Sequence, residues 1–327
     1  MNRGVCHKPM SLPNTPVPPR FLLRNSERTV LIGTEGGICF LHPERLNSLD
    51  PMRFPFPGKI TNAVLMDDGL LALTWVEREI SLARLAVLDL HEPLQNGIDL
   101  PVLRKAIESG KVNHYHVAGA VWSHVLDAEP LALCSIGNDL IFCTHHRGIY
   151  RVTSTSEEVW RRSPLEWDSL AHLPDGDVLV TLIPKGDAIW AFSLGGGWSE
   201  IDAQDGTIRR HGALQLKFSV NQVWVSDSDE WLFGLSHNRM AKWNPDSESL
   251  HVENVQGPIQ DARCDGVNWL ITGWREDIIW GPSKSGTTDV NCSTRAEVGH
   301  CILDRNEDGF WVLDNRGQWT PFASGLN

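Results

Sequence analysis

The sequence predicts an all-β fold, a seven-bladed β-propeller, and two observations support this prediction. Short apolar segments alternate with tight turns along the whole chain, and these turns recur about every 40 residues. Tryptophan is abundant, with fourteen Trp against two Tyr, and many of these residues occupy equivalent places in the repeat. A unit of about 40 residues with four short strands is typical of a propeller blade. Six blades is the alternative, if one unit has been miscounted.

The repeating unit is clearest in residues Val298–Phe322. Three short segments, rich in aromatic and β-branched residues, are separated there by an Asp-Gly turn at Asp308–Gly309 and an Asn-Arg-Gly turn that ends at Gly317. This pattern predicts three antiparallel strands.

The first turn of this unit can be followed back through the chain. Its markers are Ser26, Asp68, Asn138, Gly186, Ser228, Gly266 and Asp308, at intervals of 42, 70, 48, 42, 38 and 42 residues. The 70-residue interval is the one departure, and it predicts an insertion, residues 92–125, between blades 2 and 3. Within the insertion, Asp99–Gly110 predicts a short helix, with Asp99 as N-cap, Pro101 in the first turn and Gly110 at the end.

We expect two regions along the chain. Residues 1–20 are Pro-rich and predict a flexible arm, without the apolar segment of a signal peptide. Residues 21–327 predict a single propeller domain. The seventh unit shows three strands, so we expect residues near Val17–Arg20 to supply its closing strand.

The tryptophans fall on two of the predicted strands. Trp190, Trp231, Trp269 and Trp311 lie on second strands, and Trp198, Trp243, Trp280 and Trp319 lie on third strands. Large flat side chains at equivalent positions are suited to packing one twisted sheet against the next. We therefore interpret these residues as core between blades and not as a stacking site for a ligand.

Composition excludes several classes of function. The net charge of -12 and the absence of any basic run argue against nucleic-acid binding. No apolar run approaches the roughly 20 residues that span a bilayer, so we expect no membrane insertion. Seven cysteines without a CxxC spacing predict a reducing, cytoplasmic compartment and no structural zinc site.

Few residues suggest chemistry. Asp304, Asn306 and Asp308 resemble the start of a calcium loop, but Asn315 stands where such loops carry a bidentate Glu. We therefore prefer an acidic hairpin turn and predict no metal site.

The histidines form two pairs. His114 and His116 would share one face of a strand, whereas the adjacent His145 and His146 would point in opposite directions. We expect all four to be solvated. No nucleophile motif and no cofactor motif occurs, so no catalytic residue and no cofactor is predicted.

Two segments, Trp198–Thr207 and Met240–Leu250, resemble the third strand, turn and fourth strand of WD40-type and quinoprotein-like propeller blades. The resemblance covers most of the chain after Arg20. The Gly-His and Trp-Asp pairs of WD40 repeats are not present as a set, so the side-chain network of those repeats is not carried over. The quinoprotein resemblance implies no cofactor residue in this chain.

Two functions follow from this fold. The first is a non-catalytic scaffold that docks another protein through rim loops, with His114, Tyr115, His116 and Trp122 of the insertion as partner-binding residues. The alternative is an enzyme or small-ligand sensor, lactonase-like or lyase-like, with its site in the central channel. A polar channel with clustered acids or histidines would favour this alternative. The oligomeric state is left open.

Overall fold

Seven antiparallel sheets succeed one another along the chain, each built from consecutive strands. The computed structural model describes residues 12–78, 81–111, 116–282, 288–305 and 308–323. The predicted seven-bladed β-propeller is confirmed.

The first three blades contain eleven strands and one helix. Blade 1 consists of β1 (Pro19–Arg24), β2 (Thr29–Gly33) and β3 (Ile38–Leu41). Blade 2 consists of β4 (Lys59–Leu65), β5 (Leu70–Glu77), β6 (Leu82–Asp89) and β7 (Ala120–Leu126), with α1 (Leu100–Glu108) between β6 and β7. Blade 3 consists of β8 (Pro130–Ile136), β9 (Asp139–Thr144), β10 (Gly148–Val152) and β11 (Glu158–Arg162).

The remaining four blades follow the same plan. Blade 4 consists of β12 (Leu179–Lys185), β13 (Ala188–Ser193), β14 (Gly197–Asp202) and β15 (Ile208–Ala213). Blade 5 consists of β16 (Val220–Val225), β17 (Trp231–Leu235), β18 (Arg239–Asn244) and β19 (Ser249–Asn254). Blade 6 consists of β20 (Ile259–Cys264), β21 (Trp269–Gly273), β22 (Glu276–Pro282) and β23 (Thr288–Thr294). Blade 7 consists of β24 (Gly299–Asp304), β25 (Phe310–Asp314) and β26 (Trp319–Pro321).

The first strand of every blade lies at the centre of the ring. Neighbouring first strands contact one another in the order β1, β4, β8, β12, β16, β20, β24 and back to β1, which closes the ring. Each of the seven also carries a register shift near its start, opposite the second strand of its blade. An extra residue at such a shift bends a strand and increases its twist. The seven blades therefore share the same irregularity of the backbone as well as the same order of strands.

The core lies between the blades. The second strands β2, β17 and β21 are buried along their whole length, so both of their faces contact neighbouring sheets. Seven of the eight tryptophans assigned to the core by sequence are buried, and Trp198 is half-buried and stacks on Trp190 with ring centroids 5.6 Å apart. Each of these large side chains fills space between two neighbouring blades and excludes water from it. The predicted core role of these residues is confirmed.

The predicted helix is present, but the insertion is shorter than predicted because its last part forms a strand of blade 2. The helix α1 lies between the third and fourth strands of blade 2, since β7, which falls within the predicted insertion, pairs with β6. Leu103 of the helix and Val117 after it are fully buried with Phe56 and Trp75. Asp99 is the N-cap residue, but its side chain makes no capping hydrogen bond. The helix interrupts the spacing of the repeat, and for that reason sequence reasoning did not recognise the fourth strand.

The N-terminal segment closes the ring at blade 7. The Thr15 amide donates to the Gly317 carbonyl at 2.8 Å, and Val17 packs against Gly33 of blade 1 in a cluster with Leu313 of blade 7. The expected closing strand at Val17–Arg20 is not formed, because the described residues 12–18 belong to no strand, and Pro19 and Arg20 belong to β1 of blade 1. Proline has no amide hydrogen to donate, so the alternating prolines of this segment do not form a regular ladder.

A substitution at Val17 tests this closure. Val17→Asp places a carboxylate among apolar side chains of blades 1 and 7, so we expect a loss of about 2 kcal/mol and a melting temperature lower by several degrees. Pro16→Ala, at the exposed neighbouring position, is the matched control and should leave the melting temperature unchanged. Calorimetry checks both variants. Equal melting temperatures for Val17→Asp and the native protein would show that this segment does not close the ring.

Candidate functional surface

The hairpins of the ring can be assigned to two faces. We call the upper face the one formed by the hairpins between second and third strands and by the connections between blades. The lower face is formed by the remaining hairpins, which display exposed carboxylates at Asp67, Asp68, Asp187, Asp205, Asp227, Asp229, Asp246, Glu248, Asp265 and Asp308. Of these, Asp187, Asp229, Asp246 and Asp308 form ion pairs with Lys or Arg side chains.

The upper face over blades 5 and 6 carries a group of basic and aromatic side chains. We call this region the Trp274 surface, and it consists of Phe218, His237, Arg239, Trp274 and Arg275. Trp274 is 50% exposed, unlike the core tryptophans of the same blades. Arg239 lies over the Phe218 ring at 5.4 Å, and Arg275 lies over the Trp274 ring at 5.8 Å. The exposed Trp274 ring and the half-buried Phe218 ring are thus each paired with a guanidinium group.

Backbone geometry holds Trp274 outward. The hairpin between β21 and β22 consists of Trp274 and Arg275, and Arg275 has φ +57°, in the left-handed region. The Trp274 amide donates to the Pro258 carbonyl at 3.1 Å, and a Cβ on Gly257 would lie 2.3 Å from Trp274 Cβ. The glycine therefore allows the hairpin to approach the connection between blades 5 and 6. This close approach fixes the base of the tryptophan side chain.

Carboxylates near this surface point inward. Glu276 is buried and accepts a hydrogen bond from the Gln256 amide at 2.7 Å, and burial raises its pKa. Asp277 is buried and pairs with Arg295 at 2.7 Å. Among the residues that the structure describes, Arg239 and Arg275 form no ion pair. The outward charge of the Trp274 surface is therefore positive, in a chain whose net charge is -12.

Two of the four residues predicted to bind a partner lie within the described structure. His114 and Tyr115 lie outside the described residues, and His116 is exposed. Trp122 lies on β7, is half-buried, and donates through Nε1 to the Ser154 carbonyl of blade 3 at 2.7 Å. Its polar group is therefore already engaged within the fold.

Two of the three weak metal candidates, Asp304 and Asp308, lie at the lower end of blade 7. Asp304 ends β24, Asn306 lies outside the described residues, and Asp308 pairs with Arg305 at 3.3 Å. Within the described ranges, no group of three or more His, Cys, Asp or Glu side chains is arranged to hold a metal ion.

The histidine pair of blade 3 differs from expectation. His145 and His146 were predicted to point in opposite directions, but their ring centroids lie 3.8 Å apart. The reason is that His146 sits in the turn with φ +56°, so the alternation of an extended strand does not apply.

One carboxylate of the central strands is engaged in structure. Asp261 of β20 accepts hydrogen bonds from the Ile302 amide at 2.7 Å and from the Ala262 amide at 2.9 Å. The first of these bonds joins blade 6 to blade 7. Burial raises the pKa of Asp261, partly offset by the hydrogen bond from Ile302. Asp261 therefore acts here as a link between blades.

Sequence reasoning missed Trp274. The residue follows Gly273 directly at the end of a buried strand, where the repeat leads one to expect another core aromatic. One feature of the sequence could have identified it: unlike the core tryptophans, Trp274 falls in the second turn of its repeat and not on a strand. Arg275 beside it gives an aromatic-basic pair at a hairpin tip.

No family model matches the chain, and no curated protein matches it. Solved structures similar to it are β-propellers. The β-propeller domain of Cps50 (Swd1) from Myceliophteria thermophila is 11% identical with a TM-score of 0.63, over 95% of this chain and 97% of that one. The WD40 β-propeller domain of Doa1 is 8% identical with a TM-score of 0.61, over 97% and 96%.

A third similar structure is BamB from Moraxella catarrhalis, which is 9% identical with a TM-score of 0.57, over 91% of this chain and 94% of that one. At these identities the similarity shows the fold, and it confirms the resemblance to WD40-type propellers at that level. In the part of the chain that the structure describes, no helix has the length and apolarity needed to cross a membrane.

The titration of Asp261 gives a pH-dependent prediction. A raised pKa means that the folded state binds the proton more tightly than the unfolded state, so this group stabilises less as the pH rises from 3.8 through its raised pKa. Asp261→Asn keeps one oxygen for the Ile302 amide but does not titrate. We expect the unfolding free energy of the variant, relative to the native protein, to rise with pH across this interval. Urea unfolding at several pH values measures it, and parallel pH profiles would contradict the assignment.

Proposed function

We propose that this protein is a non-catalytic interaction scaffold that docks another protein on the Trp274 surface. The observation that carries the proposal is the exposed Trp274 beside Arg275, both held on a rigid blade. Tryptophan and arginine are enriched among the residues that dominate binding energy in protein interfaces. A preformed surface also loses little conformational entropy on binding.

The chemistry of the surface favours an acidic partner segment. Its outward charge comes from Arg239 and Arg275, with the exposed Lys217 nearby in sequence to Phe218. A carboxylate can bind a guanidinium through two parallel hydrogen bonds, and Trp274 offers an apolar face to a neighbouring side chain of the same segment. We therefore propose an acidic protein segment with at least one apolar side chain as the occupant.

The scaffold is favoured over a site in the central channel because a carboxylate of the central strands is already engaged in holding two blades together. The Asp261 carboxylate accepts backbone hydrogen bonds across a blade boundary. The insertion, by contrast, buries Leu103 and Val117, so its described part serves packing. His116, which is exposed, keeps the insertion as a second predicted docking element.

A selection with defined peptides tests the proposal. Short random peptides rich in Asp, Glu and apolar residues are selected on the native protein, and their dissociation constants are measured by fluorescence anisotropy at low and high salt. Trp274→Ala should raise the dissociation constants of the selected peptides about tenfold or more, as expected for a central aromatic residue. Arg275→Gln should weaken binding at low salt most, because salt screens exposed charges.

Two matched variants complete the design. Val267→Ala removes a side chain that is 66% exposed on the lower face, and it should leave peptide affinity unchanged. His116→Ala reports on the insertion. Peptides that bind Trp274→Ala and Arg275→Gln as tightly as the native protein would overturn the proposed surface, and loss of binding only in His116→Ala would transfer docking to the insertion.

A further inference from the structure

A separate cavity lies between blades 3 and 4, and nothing in the proposed scaffold function uses it. Its volume is about 330 Å³, within the range of sites that bind small molecules. It opens on the upper face, beside the starts of β8 and β12 and under the connection formed by residues 163–178. A turn of 3-10 helix, Asp168–Leu170, shapes this connection.

One wall of the cavity is apolar. It includes Leu131, Ile149, Leu165 and Leu179, of which all but Leu131 are buried. These side chains belong to both blades and to the connection between them. A bound molecule therefore needs an apolar body to replace water along this wall.

A buried hydroxyl on the lining has no partner. Thr144 is 5% exposed, and its Oγ1 makes no hydrogen bond within the described residues. Buried hydroxyl groups are nearly always hydrogen-bonded, so an unpaired one on a cavity wall indicates a partner supplied by a bound molecule. This observation is independent of the charge of the cavity.

The charged groups on the lining are all acidic. Glu166 is exposed and Asp177 is half-buried, and no Lys or Arg lines the cavity. Arg147 lies close in sequence, but it pairs with Asp127 at 3.3 Å. His145 and His146 also lie on the lining. No described residue forms a hydrogen bond with either imidazole ring, so both rings are available as acceptors. The cavity thus offers carboxylates and acceptors to a ligand that carries donors and positive charge.

We propose that the cavity between blades 3 and 4 binds a primary alkylammonium group. The ammonium lies between Asp177 and Glu166. Thr144 Oγ1 has almost no accessible surface in the free protein, so its side chain turns toward the cavity to accept a hydrogen bond from the ligand. The alkyl chain lies along the apolar wall. Two sources have this chemistry, a free alkylamine and the side chain of a lysine in another protein.

Three probes of equal chain length test the charge requirement by calorimetric titration of the full chain. They are n-pentylammonium, 1-pentanol and pentanoate. We expect n-pentylammonium to bind at least tenfold more tightly than 1-pentanol, and pentanoate to show no binding. A lysine-containing peptide with blocked termini is the fourth arm, and tighter binding of this peptide than of n-pentylammonium identifies protein lysine as the source. Equal affinities for the three short probes would overturn the proposal, because the cavity would then be a general apolar void.

Variants on the lining locate the site. Asp177→Asn and Glu166→Gln should each weaken n-pentylammonium binding about tenfold, whereas Asp168→Asn, on the same connection but off the lining, should not. Thr144→Val separates binding from folding. Because the hydroxyl has no partner in the free protein, this variant should keep or raise the melting temperature and still weaken binding several-fold.

Two results would reject the site. The first is undiminished n-pentylammonium binding in both carboxylate variants. The second is a lowered melting temperature of Thr144→Val with unchanged affinity. A zinc titration covers the competing use of the two histidines: zinc binding that is lost in His145→Ala, together with no ammonium binding, would overturn the proposal in favour of a metal.

Discussion

The structure depends on one constraint: each blade is apolar on both faces and can bury them only against two neighbours. The fully buried strands β2, β17 and β21 show this directly, since none of them has a solvated face. A single antiparallel sheet usually leaves one face in water, but here a sheet isolated from the ring would expose two. The ring must therefore close; β1 contacts β24, and Thr15 and Val17 add contacts at this junction of blades 1 and 7. Stability in this protein is a property of the whole ring.

Rigidity of this kind determines where binding can occur. Side chains within the ring are committed to packing, as the tryptophans and Asp261 show. Freedom remains at hairpin tips and at the connections between blades. The Trp274 surface uses a hairpin tip, and the cavity beside Thr144 uses a long connection. Both proposed sites lie on the upper face, whereas the exposed carboxylates of the hairpins concentrate on the lower face.

Much of the fold could be predicted from sequence because each turn leaves a local signature. All seven first-turn markers, from Ser26 to Asp308, fall between the first and second strands of their blades. The fourth strand of blade 2 was missed because α1 displaces it from the repeat. The sites could not be predicted for a different reason. The exposure of Trp274 depends on Gly257 in the connection between blades 5 and 6, and the cavity is lined by residues of blade 3, of blade 4 and of the connection between them. Such relations arise from tertiary contacts and leave no periodic trace.

The placement of α1 inside blade 2 has a consequence for the order of folding. The fourth strand of blade 3 follows its third after residues 153–157, whereas β7 reaches β6 only after residues 90–119. Each doubling of a loop adds about 0.6 kcal/mol of closure entropy, so joining β7 to its sheet costs about 1.5 kcal/mol more than the equivalent step in blade 3. Hairpins with short turns form early, since local contacts need little chain search. Blade 2 is therefore expected to acquire its outer strand late, after Leu103 and Val117 have collapsed onto the sheet and shortened the effective loop. We therefore expect packing of the helix to speed the pairing of β7 with β6, which would be slow across an unstructured loop.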